Sequence, residues 1–290
     1  MDISYYPGCT LHSSSKIYDT QTKLIFEKLG IFLHELEDWN CCGATSVSKT
    51  DDYLSMALPA RNLGIADAMG MEELVIPCSA CYSRMLIAQE RLGADPGLLG
   101  DINSELGKKV TGTTRIVSIL KVINRAIESG AMENIESGLK ELKPVCYYGC
   151  LQTRFPVDLL PDDDIENPQA MEKILRVLGI SPLDWNYKTA CCGASASVND
   201  TELSLELMAK IMNDAILRGA NCFITSCPMC QLNLDAYQEQ ICAKHGIASR
   251  LPVFFITEIL GLTMGLSEEE LLIDRHFVEP CGLLRESQRA

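Results

Sequence analysis

The sequence predicts an α/β fold in two pseudo-symmetric halves, each a small parallel or mixed sheet flanked by helices. Two observations lead to it. One cysteine frame occurs twice: lone Cys9, the pair Cys41-Cys42 followed by Gly43-Ala44, and Cys78-x-x-Cys81 recur as Cys150, Cys191-Cys192-Gly193-Ala194 and Cys227-x-x-Cys230. The copies are offset by 141 residues at the lone cysteine, 150 at the pair and 149 at the CxxC, so the frame is duplicated in order and spacing. In both halves, short β-forming runs alternate with longer helical patterns, the mark of strand–helix–strand units.

Residues 3–6 are β-formers ending at Pro7-Gly8-Cys9, which predicts a first strand. Ser13, Ser14 and Ser15 offer caps for a helix through Ile17, Thr20, Leu24 and Leu29 that stops at Gly30. Residues 31–36 predict a second strand leading towards Cys41 and Cys42. Thr50-Asp51-Asp52 starts a helix to Gly70, with a kink expected at Pro59. A buried strand at 74–76 is broken by Pro77 just before Cys78, and a helix follows from Ser79 to Gly93. The second half repeats the order: strand 145–148 up to Gly149-Cys150, helix 168–178, a helix capped by Asp200-Thr201 and running to Gly219, strand 222–225, and a helix opened by Cys227 that runs to about Gly246. Residues 94–143 form a less regular bridge with helical stretches expected at 115–128 and 132–142. The boundary is expected near Pro144, giving domains 1–143 and 144–290, the second with a C-terminal extension that includes the apolar run 251–260. Every motif cysteine then falls just past a strand's carboxyl end or at a helix start, where open α/β sheets place their ligand sites.

A chain of 290 residues, 47% hydrophobic and 22% charged, can bury a sizeable core and is neither disordered nor fibrous. No apolar run nears the ~18 residues of a spanning helix, and the first residues lack the basic and apolar regions of an export signal. A cytoplasmic protein without a membrane span is expected. Thiols stay reduced there, so 14 cysteines point to metal binding or redox chemistry rather than structural disulfides. The net charge of −14 argues against nucleic acid as a partner. It also means that an anionic substrate needs a local basic patch to override the global field. The cations near motif segments are Lys49 and Arg84 in the first half and Arg154 and Lys188 in the second.

Thiolate is the ligand form, and a helix N-terminus favours it; Cys78 and Cys227 each precede a predicted helix. Adjacent cysteines strain around one tetrahedral ion but readily serve two iron atoms of one cluster. Gly43 and Gly193 would let the backbone turn closely around inorganic sulfide. Five thiolates exceed the four of an ordinary cube, so either one is spare or the cluster is unusual. A thioredoxin-like dithiol at Cys78 and Cys81 leaves the lone cysteine and the pair unexplained, and a structural zinc site leaves a fifth cysteine over. Both stay open on the residues alone. Cys146, Cys222, Cys242 and Cys281 have no counterpart in the other half and read as small hydrophobes. None of His12, His34, His245 and His276 recurs, so none is a motif ligand. His12, three residues after Cys9, is expected to be solvated or capping, and Trp39 and Trp185 are expected to cover the cysteine sites as packing.

The frame Cys9…Cys41-Cys42-Gly43…Cys78-x-x-Cys81 and its second copy resemble the CCG domain, a five-cysteine iron–sulfur module, each half then carrying a small Rossmann-like sheet. The whole chain, with no fused ferredoxin domain, is similar to the B subunits of the CoB–CoM heterodisulfide reductases of methanogenic archaea. Tyr6-Pro7-Gly8-Cys9 and Asp38-Trp39-Asn40-Cys41-Cys42-Gly43-Ala44 carry the likeness most plainly, and all ten motif cysteines match within residues 3–245. The resemblance implies one noncubane [4Fe–4S] cluster on Cys9, Cys41, Cys42, Cys78 and Cys81, and a second on Cys150, Cys191, Cys192, Cys227 and Cys230. It implies reduction of the mixed disulfide of coenzyme M and coenzyme B, lying between the two clusters, to two thiols. Partner subunits of the reductase, one ferredoxin-like and one flavin-containing, with a hydrogenase or formate dehydrogenase upstream, would bring the electrons, because the chain has no CxxCxxCxxxC run for ordinary cubanes. Two other readings stand beside it: an electron-transfer subunit of lactate, glycolate, succinate or fumarate oxidoreductases, and a noncatalytic zinc scaffold.

Overall fold

The structure, a computed structural model, describes residues 1–44, 46–132, 138–153 and 163–289. It contains two sheets, parallel throughout. The first holds β1 (Asp2–Tyr5), β2 (Phe32–Glu35), β3 (Glu73–Ile76) and β4 (Arg115–Ser118) in the order β2-β1-β3-β4. The second holds β5 (Pro144–Tyr147), β6 (Cys222–Thr225) and β7 (Val253–Phe255) in the order β5-β6-β7. Parallel pairing demands crossovers, and helices supply them. In the first half these are α1 (Gly8–Leu11), α2 (Lys16–Lys28), α3 (Asp52–Met69), α4 (Ser79–Ala94), α5 (Pro96–Glu105) and α6 (Ile119–Glu128). The second half has α7 (Cys150–Thr153), α8 (Ala170–Val177), α9 (Thr201–Leu217), α10 (Pro228–Ala236), α11 (Gln238–His245), α12 (Ile256–Thr263) and α13 (Cys281–Arg289). The α/β class and the pseudo-symmetric pair of Rossmann-like units are as the sequence predicts.

Three local expectations change. The stretch at 115–128 is a strand followed directly by a helix. Ile116 and Val117 pair with Leu74 and Val75, and Ser118 ends the strand by capping α6, its Oγ accepting from the Lys121 amide at 3.2 Å. The apolar run 251–260 splits the same way into β7 and α12. The helix expected from Cys227 to Gly246 breaks at Tyr237, where the Asp235 carboxylate takes the amides of Phe277 and Val278. Pro59 lies inside the uninterrupted α3. The helix expected at 132–142 falls largely on 133–137, outside the described residues.

Side-chain alternation gives the second sheet two buried faces. Val145, Tyr147, Phe223 and Val253 pack towards α9, α10 and α11. Cys146, Cys222, Ile224 and Phe254 join the core of the first half, which fixes the former two cysteines as packing groups, fully buried and with thiol pKa pushed up by that burial. One core therefore runs across both sheets. The Tyr18 ring of α2 stacks on Phe255 at 4.1 Å, and Gln21 Nε2 donates to Glu258 Oε1 at 2.9 Å and to the Leu271 carbonyl at 2.6 Å.

The tail is tied in through His276, whose fully buried side chain sets Nε2 2.7 Å from Glu258 Oε1 and Nδ1 3.8 Å from Asp235 Oδ2. Burial disfavours the imidazolium, but the charge and hydrogen bond of Glu258 outweigh it, raising the pKa from 6.5 to about 8. A folded-state pKa above the unfolded one means stability that is complete below pH 6.5 and lost as pH rises through about 8. The shift corresponds to about 2 kcal/mol. Thermal unfolding is expected to show Tm falling across this window, and His276→Gln is expected to flatten the slope.

Candidate metal centres at the strand ends

Because the strands are parallel, their carboxyl ends lie on one edge of each sheet, and the cysteines follow them there. β1 and β5 lead into Gly8-Cys9 and Gly149-Cys150, and β3 and β6 lead into Cys78 and Cys227, which stand at the N-caps of α4 and α10. Gly8 and Gly149 both have left-handed backbones, φ +73° and +69°. A Cβ on Gly8 would stand 2.9 Å from Cys81 Sγ, and one on Gly149 2.7 Å from Cys230 Sγ. Only glycine leaves room for those sulfurs. The Tyr6 hydroxyl donates to the Asn40 carbonyl at 2.8 Å, and the Tyr147 hydroxyl to the Ala190 carbonyl at 2.6 Å. Each tyrosine thus pins the residue just before a cysteine pair. The pair then turns through Gly43 and Gly193, φ +82° and +77°.

The structure brings each predicted five-cysteine set together. In the first, Cys9 and Cys41 sulfurs lie 3.7 Å apart and those of Cys42 and Cys81 3.2 Å apart, with Cys78 hydrogen-bonded to Cys81. In the second, Cys192 and Cys230 sulfurs lie 3.8 Å apart, Cys227 bonds Cys230, and Cys150 bonds Cys191. Protons are shared unequally. Hydrogen bonds from Cys41 and Cys81 bring Cys42 down to about 5, and the Cys150 thiol brings Cys191 down to about 6. Cys9, Cys81, Cys150 and Cys230 are pushed up, chiefly by the hydrogen bond each makes to a neighbouring cysteine of its set and then by burial.

The two sets face one cavity of about 140 Å³, lined by nine of the ten motif cysteines, all but Cys41. Its walls include Leu151, Met229, Ala80 and Ala194, and no Lys, Arg, Asp or Glu among the described residues. Contacts cross between halves around it. Thr10 Oγ1 donates to Met229 Sδ at 3.8 Å, Ser79 Oγ donates to Gln152 Oε1 at 2.8 Å, and Ser79 also hydrogen-bonds Cys227. The Tyr18 hydroxyl donates to the Ser226 carbonyl at 2.8 Å, just before Cys227.

This donor chemistry fits iron–sulfur clusters. Each set offers soft thiolates, with no Lys or Arg among the described residues that line their cavity, so an electropositive metal–sulfide core is what would relieve their mutual repulsion. The sulfurs follow one another in runs, Cys9–Cys41–Cys42–Cys81–Cys78 in the first set and Cys192–Cys230–Cys227 beside Cys150–Cys191 in the second. Five thiolates in each set exceed the four that a single zinc takes and suit a polynuclear group better.

Other candidates land elsewhere. Lys188 is no substrate cation: it is buried against Glu172, Nζ to Oε1 2.8 Å, and the Tyr148 hydroxyl donates to the other Glu172 oxygen at 2.5 Å. Lys188→Met would strand the Glu172 charge, and a loss of about 3–5 kcal/mol is expected in denaturant titration. Adding Glu172→Gln is expected to recover part of it. Arg84 donates to Ser48 Oγ at 2.9 Å, Lys49 is exposed, and Arg154 lies outside the described residues. His12 meets Glu35 at 3.0 Å and the edge of Trp39 at 4.9 Å. Neither Trp39 nor Trp185 lines the thiol cavity; Trp39 packs on Tyr6, and Trp185 donates to the Cys146 carbonyl at 3.0 Å. Sequence reasoning passed over Gly8, Gly149, Tyr6 and Tyr147 as site residues. Their signal was present, since Tyr-x-Gly-Cys precedes both lone cysteines. Ser79, Gln152 and Met229 carry no such signal, because their role depends on how the halves meet.

A family model described as the cysteine-rich domain CCG matches residues 3–85 and again 145–235. The chain is 29% identical to the 8-methylmenaquinol:fumarate reductase membrane anchor subunit of Wolinella succinogenes, over 97% of this chain and 99% of that one. It is 27% identical to the B subunit of the ferredoxin:CoB-CoM heterodisulfide reductase of Methanosarcina mazei, over 97% and 95%. A solved structure of a hypothetical protein from Helicobacter pylori superposes with a TM-score of 0.70 at 16% identity, a likeness of fold; it covers 95% of this chain, which spans 51% of that one.

Proposed function

We propose, from the premise that the chain belongs to the CCG family of cysteine-rich domains in both halves, that it is the disulfide-reducing subunit of a multisubunit oxidoreductase. The substrate on this reading is the CoM-S-S-CoB disulfide. The observation that carries it is the single cavity reached by both cysteine sets. Each set would hold one noncubane [4Fe–4S] cluster on its five thiolates, all ten motif cysteines serving as ligands. Such clusters supply electrons singly, so two of them facing one S–S bond suit the balance RS–SR′ + 2 e⁻ + 2 H⁺ → RSH + R′SH. The electrons come from partner subunits, a ferredoxin-like one and a flavin-containing one, in the cytoplasm. The chain's own residues set the geometry. Gly8 and Gly149 admit the CxxC sulfurs, Tyr6 and Tyr147 fix the cysteine pairs, and Leu151 and Met229 give the disulfide an apolar, water-poor wall.

The relative from Wolinella succinogenes supports a second reading, in which the same two centres pass electrons between a quinol and fumarate reductase. No described helix is long and apolar enough to cross a membrane, so that role would need a further anchoring element in the complex. Anaerobic turnover with a reduced dye as donor separates the two. Two thiols formed per CoM-S-S-CoB consumed is the expected result. Quinol-linked fumarate reduction without thiol formation would replace the first reading by the second.

A further inference from the structure

The ten motif cysteines repeat between the halves, but the residues beside them do not. Thr10 follows Cys9 where Leu151 follows Cys150, and Ser79 opens α4 where Pro228 opens α10. Thr10 and Ser79 both line the thiol cavity, and Ser79 is buried. The two hydroxyls thus belong to the first half, yet each reaches a different cysteine set. Thr10 hydrogen-bonds Cys9, in its own set, whereas Ser79 crosses to Cys227, in the other. Their counterparts Leu151 and Pro228 have no side-chain proton to give. Each hydroxyl also has a second acceptor across the seam between the halves. For Thr10 it is Met229 Sδ at 3.8 Å, and for Ser79 it is Gln152 Oε1 at 2.8 Å.

We propose that Thr10 and Ser79 set the reduction potentials of the two centres separately, Thr10 that of the first and Ser79 that of the second. This rests on the reading that each set holds one cluster, and not on which substrate is reduced. A hydroxyl directed at a ligand sulfur stabilises the form of the centre that carries one more electron, so it makes that centre easier to reduce. Each hydroxyl has one proton for two acceptors. The sulfur takes the larger share of it as negative charge gathers there, and Met229 or Gln152 holds the hydroxyl in place. No bond breaks and no proton leaves. Ser79 neighbours Cys78 in the chain, but the centre it governs is the one in the other half.

Anaerobic redox titration of the full chain, followed by EPR and visible absorption, tests it. Thr10→Val and Ser79→Ala each remove one hydroxyl, and Cys192→Ser, within the second set, marks which signal belongs to that set. Ser79→Ala is expected to lower the midpoint of the second centre alone, and Thr10→Val that of the first alone. Each shift is about tenfold in the oxidised-to-reduced ratio at a fixed potential, about 59 mV for a one-electron couple. Thr10→Ser and Ser79→Thr keep the hydroxyl and should keep the wild-type midpoints. Gln152→Leu breaks the same contact across the seam as Ser79→Ala but leaves the Ser79 proton to Cys227, so the second midpoint should hold or rise. If Ser79→Ala and Gln152→Leu instead lower it alike, Ser79 is a structural contact and the proposal fails. Midpoints that ignore both hydroxyls, or a Ser79→Ala shift in the first centre, also overturn it while leaving two clusters in place. Iron signals from fewer than two centres refute the cluster reading itself, and the tuning with it.

Discussion

Gly149→Ala is expected to leave the second cysteine set without its metal while the first stays loaded, roughly halving the iron per chain. The new methyl would stand 2.7 Å from Cys230 Sγ, closer than any Cβ contact tolerates, on a backbone already at φ +69°. Relief requires the sulfur to leave its position, and that sulfur is one of five in the set. Gly179→Ala is the control. It carries the same left-handed conformation, φ +73°, but its added Cβ meets nothing within 4 Å. It should cost about 1–2 kcal/mol of stability through backbone strain alone and keep full metal. Equal iron in both variants would mean that the Gly149 contact does not shape the site. Gly8→Ala, with its Cβ 2.9 Å from Cys81 Sγ, is expected to do to the first set what Gly149→Ala does to the second.

Cys192→Ser carries the second large effect. Cys192 is buried, its sulfur 3.8 Å from that of Cys230, and it faces the shared cavity. Disulfide turnover is expected to fall by about a hundredfold or more, some 2.7 kcal/mol in activation free energy, although the first half keeps its iron. On the disulfide reading the drop exceeds the share of metal lost, because both centres would face the one S–S bond. Cys146→Ser, at a thiol packed in the core and facing no cavity of the site, should leave turnover and iron unchanged at some cost in stability. A Cys192→Ser protein that keeps half the wild-type rate would show that one centre suffices.

The cysteine frame made most of this legible in advance. Spacing alone pairs Cys9 with Cys150 and Cys78 with Cys227, and the strand ends put those residues on one edge of each sheet. What spacing cannot express is how the halves meet. Ser79 reaches Gln152, and Thr10 reaches Met229, only because the second set packs against the first. β4 was hidden for a local reason. Arg115-Ile116-Val117-Ser118 runs without a turn into the strongly amphipathic α6, so the helical period swallows a four-residue strand. The counterpart of β2 was legible only as an approach to Trp185, and rightly so. That segment touches β5 through isolated bonds, Leu183 amide to Pro144 carbonyl at 2.8 Å and the Tyr148 amide to the Lys188 carbonyl at 2.9 Å, rather than a ladder. Lys188 looked like a cation near a motif, but its burial follows from Glu172, on α8, sixteen residues earlier and adjacent only in space.

Iron, acid-labile sulfide and zinc per chain, measured on anaerobically purified protein, test the central claim most directly. Two polynuclear centres on the ten motif cysteines require about eight iron and about eight sulfide, with no zinc. About four iron with one zinc would leave a single redox centre, and reduction of a disulfide between two clusters would be contradicted.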